Sequence, residues 1–231
     1  MEFLTNEFFL IFLTFLIFFL AKLLQKKTGW ILLNPILLTI ALLIIFLKSA
    51  GITYDTYESA GRYIEFWLKP AVVALGIPLY LQLSSIKKQL VPILFSQLAG
   101  CVVGLVSVVL LAKLFGATQE VILSLAAKSV TTPIAMEVTR TVGGISSLTA
   151  AVVVCVGLFG ALFGFQILRL LRIKTPPAQG LSMGAAAHAV GTDTAMGVGQ
   201  THGAYASLGL ILNGLFTSIL TPYILQWCNI L

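Results

Sequence analysis

The sequence predicts an all-α polytopic membrane protein, a single integral membrane domain over residues 1–231. Three observations predict it. Of 231 residues, 58% are hydrophobic and only 10% are charged, where soluble domains carry about 25% charged residues. Long apolar runs recur from Phe8 to Leu225, and about 20 such residues cross a bilayer. The net charge of +6 is concentrated in short loops between those runs, the pattern of topology signals rather than of a nucleic-acid surface.

Seven to eight hydrophobic segments follow in order, near residues 7–24, 31–50, 63–83, 91–115, 119–141, 147–172, 179–198 and 203–227. The first has the length of a signal-peptide core. Glu2 and Glu7 precede it, without Lys or Arg, and "AKLLQKKTG" follows where a small-residue cleavage site would stand, so a retained helix is expected. The second contains Asn34 before Pro35, read either as a kinked helix with a satisfied amide or as an amide facing a cavity. The third carries Pro70, Gly76 and Pro78 and is expected to be broken. The loop before it, "KSAGITYDTYESAGRYIE", is mixed in charge and fits the outside.

Charge then orients the chain. Lys22, Lys26 and Lys27, then Lys87 and Lys88, then Arg169, Arg172 and Lys174 mark three cytoplasmic loops. Eight plain crossings would put the last of these outside. One segment between residues 91 and 172 must therefore return to its own side. The segment 119–141 is interrupted by Lys128, Glu137 and Arg140 and is the expected re-entrant hairpin or discontinuous helix. With that assignment, segments 2–3–4 and 6–7–8 run in opposite senses. Broken segments at matching places in two halves are the signature of inverted-repeat transporters.

The polar residues inside these segments are the candidate site. "KSVTTPIAM" contains Lys128, Ser129, Thr131, Thr132 and Pro133. Lys128 is either a snorkelling lysine or an anion-binding group inside the protein, because an intramembrane charge is costly and is usually paired or functional. Proline suits a first helical turn, so Thr132 is expected to cap a half-helix starting at Pro133, whose free N–H groups favour an anion. Glu137 and Arg140, three apart, fit a structural ion pair. In "AAHAVGTDTAM", Gly191 is expected to break the helix and to let Thr192, Asp193 and Thr194 line a cavity. His188 is either a core residue or a proton carrier, as its near-neutral titration permits. The expected substrate-binding set is thus Lys128, Ser129, Thr131, Thr132, Pro133, Asn34, Gly191 and Thr192, with His188 and Asp193 for proton coupling.

Other classes fit less well. There is no H-E-x-x-H, and an intramembrane aspartyl protease needs two aspartates, while Asp55 falls in a loop. Cys101, Cys155 and Cys228 have neither zinc-site nor disulfide-framework spacing. No enzyme activity, cofactor or metal is expected.

At these motifs the chain resembles the LrgB/CidB family, near its YohK-type bacterial members. The resemblance covers nearly the whole length through "LLNP" (32–35), "KPAVVALGIPLY" (69–80), "KSVTTPIAM" (128–136), "GGIS" (143–146) and "GLSMGAAAHAVGT" (180–192). Family members more often carry serine where this chain has Ala187. The resemblance implies a cytoplasmic (inner) membrane location, crossed and broken helices in inverted repeats, and a small LrgA/CidA-type membrane partner. It implies two activities: holin- or antiholin-like control of murein hydrolases, and transport of small carboxylates of the glycolate, glycerate or pyruvate class. The residues point to a carrier for small anions, so secondary transport coupled to protons is the leading expectation and lysis regulation the alternative. No nucleic-acid partner is expected, and a homo-oligomer stays open.

Overall fold

The computed structural model describes residues 4–30, 33–67, 70, 73, 74 and 76–231. Every regular element among them is helical. Four helices are long and apolar enough to cross a membrane: α1 (Glu7–Thr28), α6 (Leu90–Leu114), α9 (Ser146–Leu170) and α11 (Gln200–Trp227). They match four of the expected segments. At about 1.5 Å per residue, each exceeds the roughly 30 Å hydrocarbon core. Together with the shorter apolar α2 (Pro35–Ala50), they make this a multi-pass protein of the cell membrane.

The chain divides into two compact units, Met1–Ala74 and Leu75–Leu231. In the first, Asn6 caps α1 by accepting the Phe8 N–H at 3.0 Å. Asn34 caps α2, its Oδ1 accepting from Ile36 N at 2.9 Å and Leu37 N at 3.3 Å. Pro35 therefore starts this helix instead of kinking it, because at the first turn its missing N–H leaves no gap. The expected outside loop contains a helix, α3 (Tyr54–Phe66), begun by Thr53, whose hydroxyl accepts from Thr56 N. Thr14 Oγ1 and Tyr57 OH, 3.0 Å apart, join α1 to α3. The expected segment 63–83 falls partly on 68–69, 71–72 and 75, which lie outside the described residues. Beyond them stand two short helices, α4 (Gly76–Leu81) and α5 (Leu83–Lys88).

In the second unit, the segment 119–141 is split into α7 (Gln119–Ala126) and α8 (Thr132–Val142). At about 12 and 16 Å, neither crosses a bilayer. If the chain ran on as one straight helix, Ile145 would stand about 30 Å beyond Ser124. Instead the Ile145 N–H donates to Ser124 Oγ at 2.7 Å, so the chain turns back on itself, as the charge parity requires. A buried polar clamp closes the turn. Thr149 Oγ1, on α9, donates to the Ser124 carbonyl at 2.9 Å and lies 2.9 Å from Thr139 Oγ1. Ser124, Thr139 and Thr149 are all fully buried. Around them α6, α7 and α11 share an apolar core that includes Leu105, Val109, Ile122, Leu123 and Leu225.

α10 (Pro176–Val198) is the second broken helix. The break falls at Ala187 and His188, where His188 takes φ 43° and ψ −134°, and not at Gly191. Gly191 instead permits close contact: a Cβ there would lie 2.4 Å from the Met183 carbonyl oxygen. α9 receives the break on a track of glycines. A Cβ at Gly160 would collide with Ala187 Cβ, and one at Gly157 would lie 2.7 Å from His188 Cε1. α10 and α11 are packed closer still. A Cβ on Gly180 would lie 2.4 Å from the His202 carbonyl oxygen, and one on Gly184 would overlap that of Ala206. Small residues four apart allow such approach in membranes, where packing rather than the hydrophobic effect joins helices.

Candidate functional site

Two chain breaks meet on α11. The Asn213 side-chain amide donates one proton to the Ser129 carbonyl at 3.1 Å and the other to the Ala185 carbonyl at 2.9 Å. Ser129 belongs to the turn between α7 and α8, and Ala185 lies two residues before the break in α10. Both carbonyls lie where the helical ladder is interrupted, and breaks at membrane depth persist only when their backbone groups find such partners.

Beside this junction lies a cavity of about 440 Å³. Its walls are α6, the α7–α8 turn, α10 and α11, with Gln97, Lys128, Ser129, Ser182, Asn213 and Thr217 as its main polar groups. Gly100 and Gly104 keep α6 thin there: a Cβ on either would meet no atom within 4 Å. Among the described residues, Lys128 is the single charged side chain of the lining. Its ammonium donates to Ser129 Oγ at 3.0 Å, which leaves further N–H groups of the ammonium for a ligand. No acidic residue lines the cavity among the described residues. Glu137 and Arg140 form the expected i,i+3 pair with each other, through Nε at 3.1 Å and through a second, shorter contact, and both are exposed. A desolvated cation without a carboxylate partner favours an anion.

The other expected residues take different places. Thr131, not Thr132, is the N-cap of α8, and Pro133 stands in its first turn. Neither threonine is among the cavity-lining residues, and Pro133 borders a separate open depression with Ile134, Glu137 and Ser218. Asn34 is the cap of α2, in the first unit. His188 is 4% exposed, and its Nε2 lies 2.8 Å from the Val153 carbonyl. Since a carbonyl only accepts, Nε2 carries the proton. Thr192 Oγ1 donates to the His188 carbonyl at 2.9 Å, a back-bond one helical turn away. Asp193 is exposed. The structure thus brings Lys128 and Ser129 together with the residues just before the α10 break, while His188, Gly191 and Thr192 support the break from behind.

Asn213 and Gln97 escaped the sequence reading. The available signal was an amide in the middle of an apolar run, "LILNGLF" and "FSQLAG". Such groups in lipid are expected to find partners, but nothing in the sequence says which.

Comparison with known proteins adds a lineage. The model of the LrgB-like family matches residues 14–227. An uncharacterized protein of Haemophilus influenzae is 39% identical over 93% of both chains. The holin-like protein CidB of Staphylococcus epidermidis is 35% identical, and that of Staphylococcus aureus 34% identical, each over 94% of both chains. No solved structure matches.

Proposed function

The chain belongs to the LrgB-like family, and from that premise and the cavity geometry we propose that it is a secondary transporter of small monocarboxylates of the glycolate, glycerate or pyruvate class, coupled to protons. One observation carries this reading: Lys128, unopposed by an acidic side chain among the described lining residues, lines a cavity at the meeting of two chain breaks. Broken helices converging on a site is how many secondary carriers expose backbone and side-chain groups to substrate. In this reading Lys128 and the Ser129 hydroxyl hold the carboxylate, and movement of the α7–α8 hairpin opens the cavity to one side or the other. A small LrgA/CidA-type membrane protein is the proposed partner.

The names of the Staphylococcus relatives favour a second reading, a holin-like regulator of murein hydrolases that moves no solute. Uptake of labelled glycolate, glycerate and pyruvate into proteoliposomes, with and without a pH gradient and with and without the partner, separates the two. Transport predicts accumulation driven by an inward proton gradient, reduced at least about tenfold by Lys128→Ala in protein that still inserts. No uptake under any condition leaves the regulator. Full uptake by the variant makes Lys128 a snorkelling residue and removes the proposed site.

A further inference from the structure

Ser182 stands in the middle of the stripe of α10 that lines the cavity. Ala178, Leu181, Ser182, Ala185 and Ala186 are all wall residues, and their spacing of three and four marks one face of a helix. Ser182 thus points into the cavity, while Met183 and Gly184 pack against α9 and α11. Most hydroxyls of the surrounding helices are engaged at home. Ser96, Ser124, Ser207, Ser218 and Thr221 each donate to a carbonyl about one turn back, the usual course for a helical hydroxyl in an apolar setting. The Ser182 hydroxyl makes no hydrogen bond among the described residues. The residue is half-buried, and its Oγ keeps accessible surface. Its wall adjoins the lysine. The carbonyl oxygens of Ser129 and Ala185 share one Asn213 nitrogen, at 3.1 and 2.9 Å, so they lie no more than about 6 Å apart, and Ser182 is one helical turn from Ala185. The cavity therefore offers a ligand a cation on one wall and an uncommitted hydroxyl on the next.

We propose that Ser182 is a specificity-determining residue that bonds the oxygen on C2 of the substrate, so that the cavity takes 2-oxo and 2-hydroxy carboxylates in preference to acids bare at C2. The inference rests on the carboxylate reading of the cavity. With the carboxylate on Lys128, the C2 oxygen is the polar group left to place. A serine hydroxyl both donates and accepts, so it donates to a 2-oxo group and either donates to or accepts from a 2-hydroxyl. An acid bare at C2 offers it only C–H bonds, and nothing replaces the water that the hydroxyl gives up. Sites that hydrogen-bond a substrate group discriminate against analogues that lack it. Glycolate, glycerate and pyruvate all carry oxygen on C2, and Ser182 is the group that makes them one class.

Pyruvate, lactate and propionate share a three-carbon skeleton and differ only at C2, so they test this directly. Binding of each radiolabelled acid is measured on the purified full-length protein in detergent. Wild type should bind pyruvate and lactate at least about fivefold more tightly than propionate. Ser182→Ala should weaken both to the level of propionate and leave propionate itself unchanged. A wild type that binds propionate as tightly as the other two overturns the assignment. So does a variant that keeps the wild-type ratio, or one that loses all three acids equally, as a merely distorted wall would. The wild-type comparison needs no variant and decides the matter even if Ser182→Ala does not fold. If wild type binds none of the three, the carboxylate reading itself fails and this inference falls with it, a result distinct from equal binding.

Discussion

At His188 the chain combines a backbone conformation that L-residues rarely adopt with a buried ring. Such a conformation costs on the order of 1–3 kcal/mol and persists where its surroundings hold it. Here Gly157 gives the ring room, the Val153 carbonyl takes the Nε2 proton, and Thr192 bonds the His188 carbonyl. Proton coupling is proposed to run through this ring. An anion entering against a negative-inside potential is opposed by about 2.3 kcal/mol per charge at 100 mV, and one co-transported proton removes that opposition. Gln at 188 could still donate to the Val153 carbonyl but could not titrate. His188→Gln should therefore retain uptake driven by substrate concentration and lose its stimulation by an inward pH gradient. Full retention of that stimulation would make His188 a packing residue. Lys128, Ser129 and His188 were legible as candidates because each is a polar group within a few residues of glycine, proline or hydroxyl residues in a hydrocarbon-rich chain. Asn213 and Gln97 are as polar, but they sit in continuous helices, where only tertiary placement distinguishes a site residue from a satisfied amide. Thr131, Thr132 and Pro133 were legible as a helix start, and that is where they are found.

The α7–α8 hairpin is the element on which the reading most depends, and its polar clamp is its weakest point. Thr149→Val keeps the shape of the side chain and deletes its hydroxyl, leaving the buried Ser124 carbonyl and Thr139 hydroxyl short of a partner. The expected loss is about 1–3 kcal/mol, read as a lower thermal unfolding midpoint in detergent. Thr149→Ser should restore most of it, and an undiminished midpoint in Thr149→Val would show that the clamp contributes nothing. The hairpin was legible because charge parity demanded a returning segment and 119–141 was the most polar available. The break in α10 was legible as an event but not in position. Gly191 looked like the helix breaker, whereas it serves close contact with Met183, and the distorted residues are Ala187 and His188. A glycine in a sequence permits either role, and its neighbours in space decide which. The helix α3 was missed because its mixed charges read as an exterior loop, although Thr53 with Asp55 in the first turn is an ordinary helix start.

For the molecule as a whole, the apolar composition and the spacing of long runs made the helical membrane class legible, and they did so without indicating which helices pack together. Sidedness follows from the basic loops. Lys26, Lys87 and Lys174 are predicted to face the cytoplasm. Single cysteines at these positions in a cysteine-free background should resist an impermeant maleimide added outside and react once the membrane is opened. Labelling from outside at position 174 alone would mean that 119–141 crosses after all. The packing of the second unit also has a mechanical corollary. α10 and α11 are in contact along glycine faces so tight that sliding one past the other drives side chains into backbone, so the pair behaves as a stiff beam. α7 shares an apolar core with α11, and at the cavity the hairpin is tied to that beam by the Asn213–Ser129 hydrogen bond, a type of contact with a net value of about 1 kcal/mol. Thermal agitation supplies that much readily. The amide is thus a latch with one permanent catch, on Ala185, and one releasable catch, on Ser129, and the releasable one adjoins the lysine that would hold the cargo.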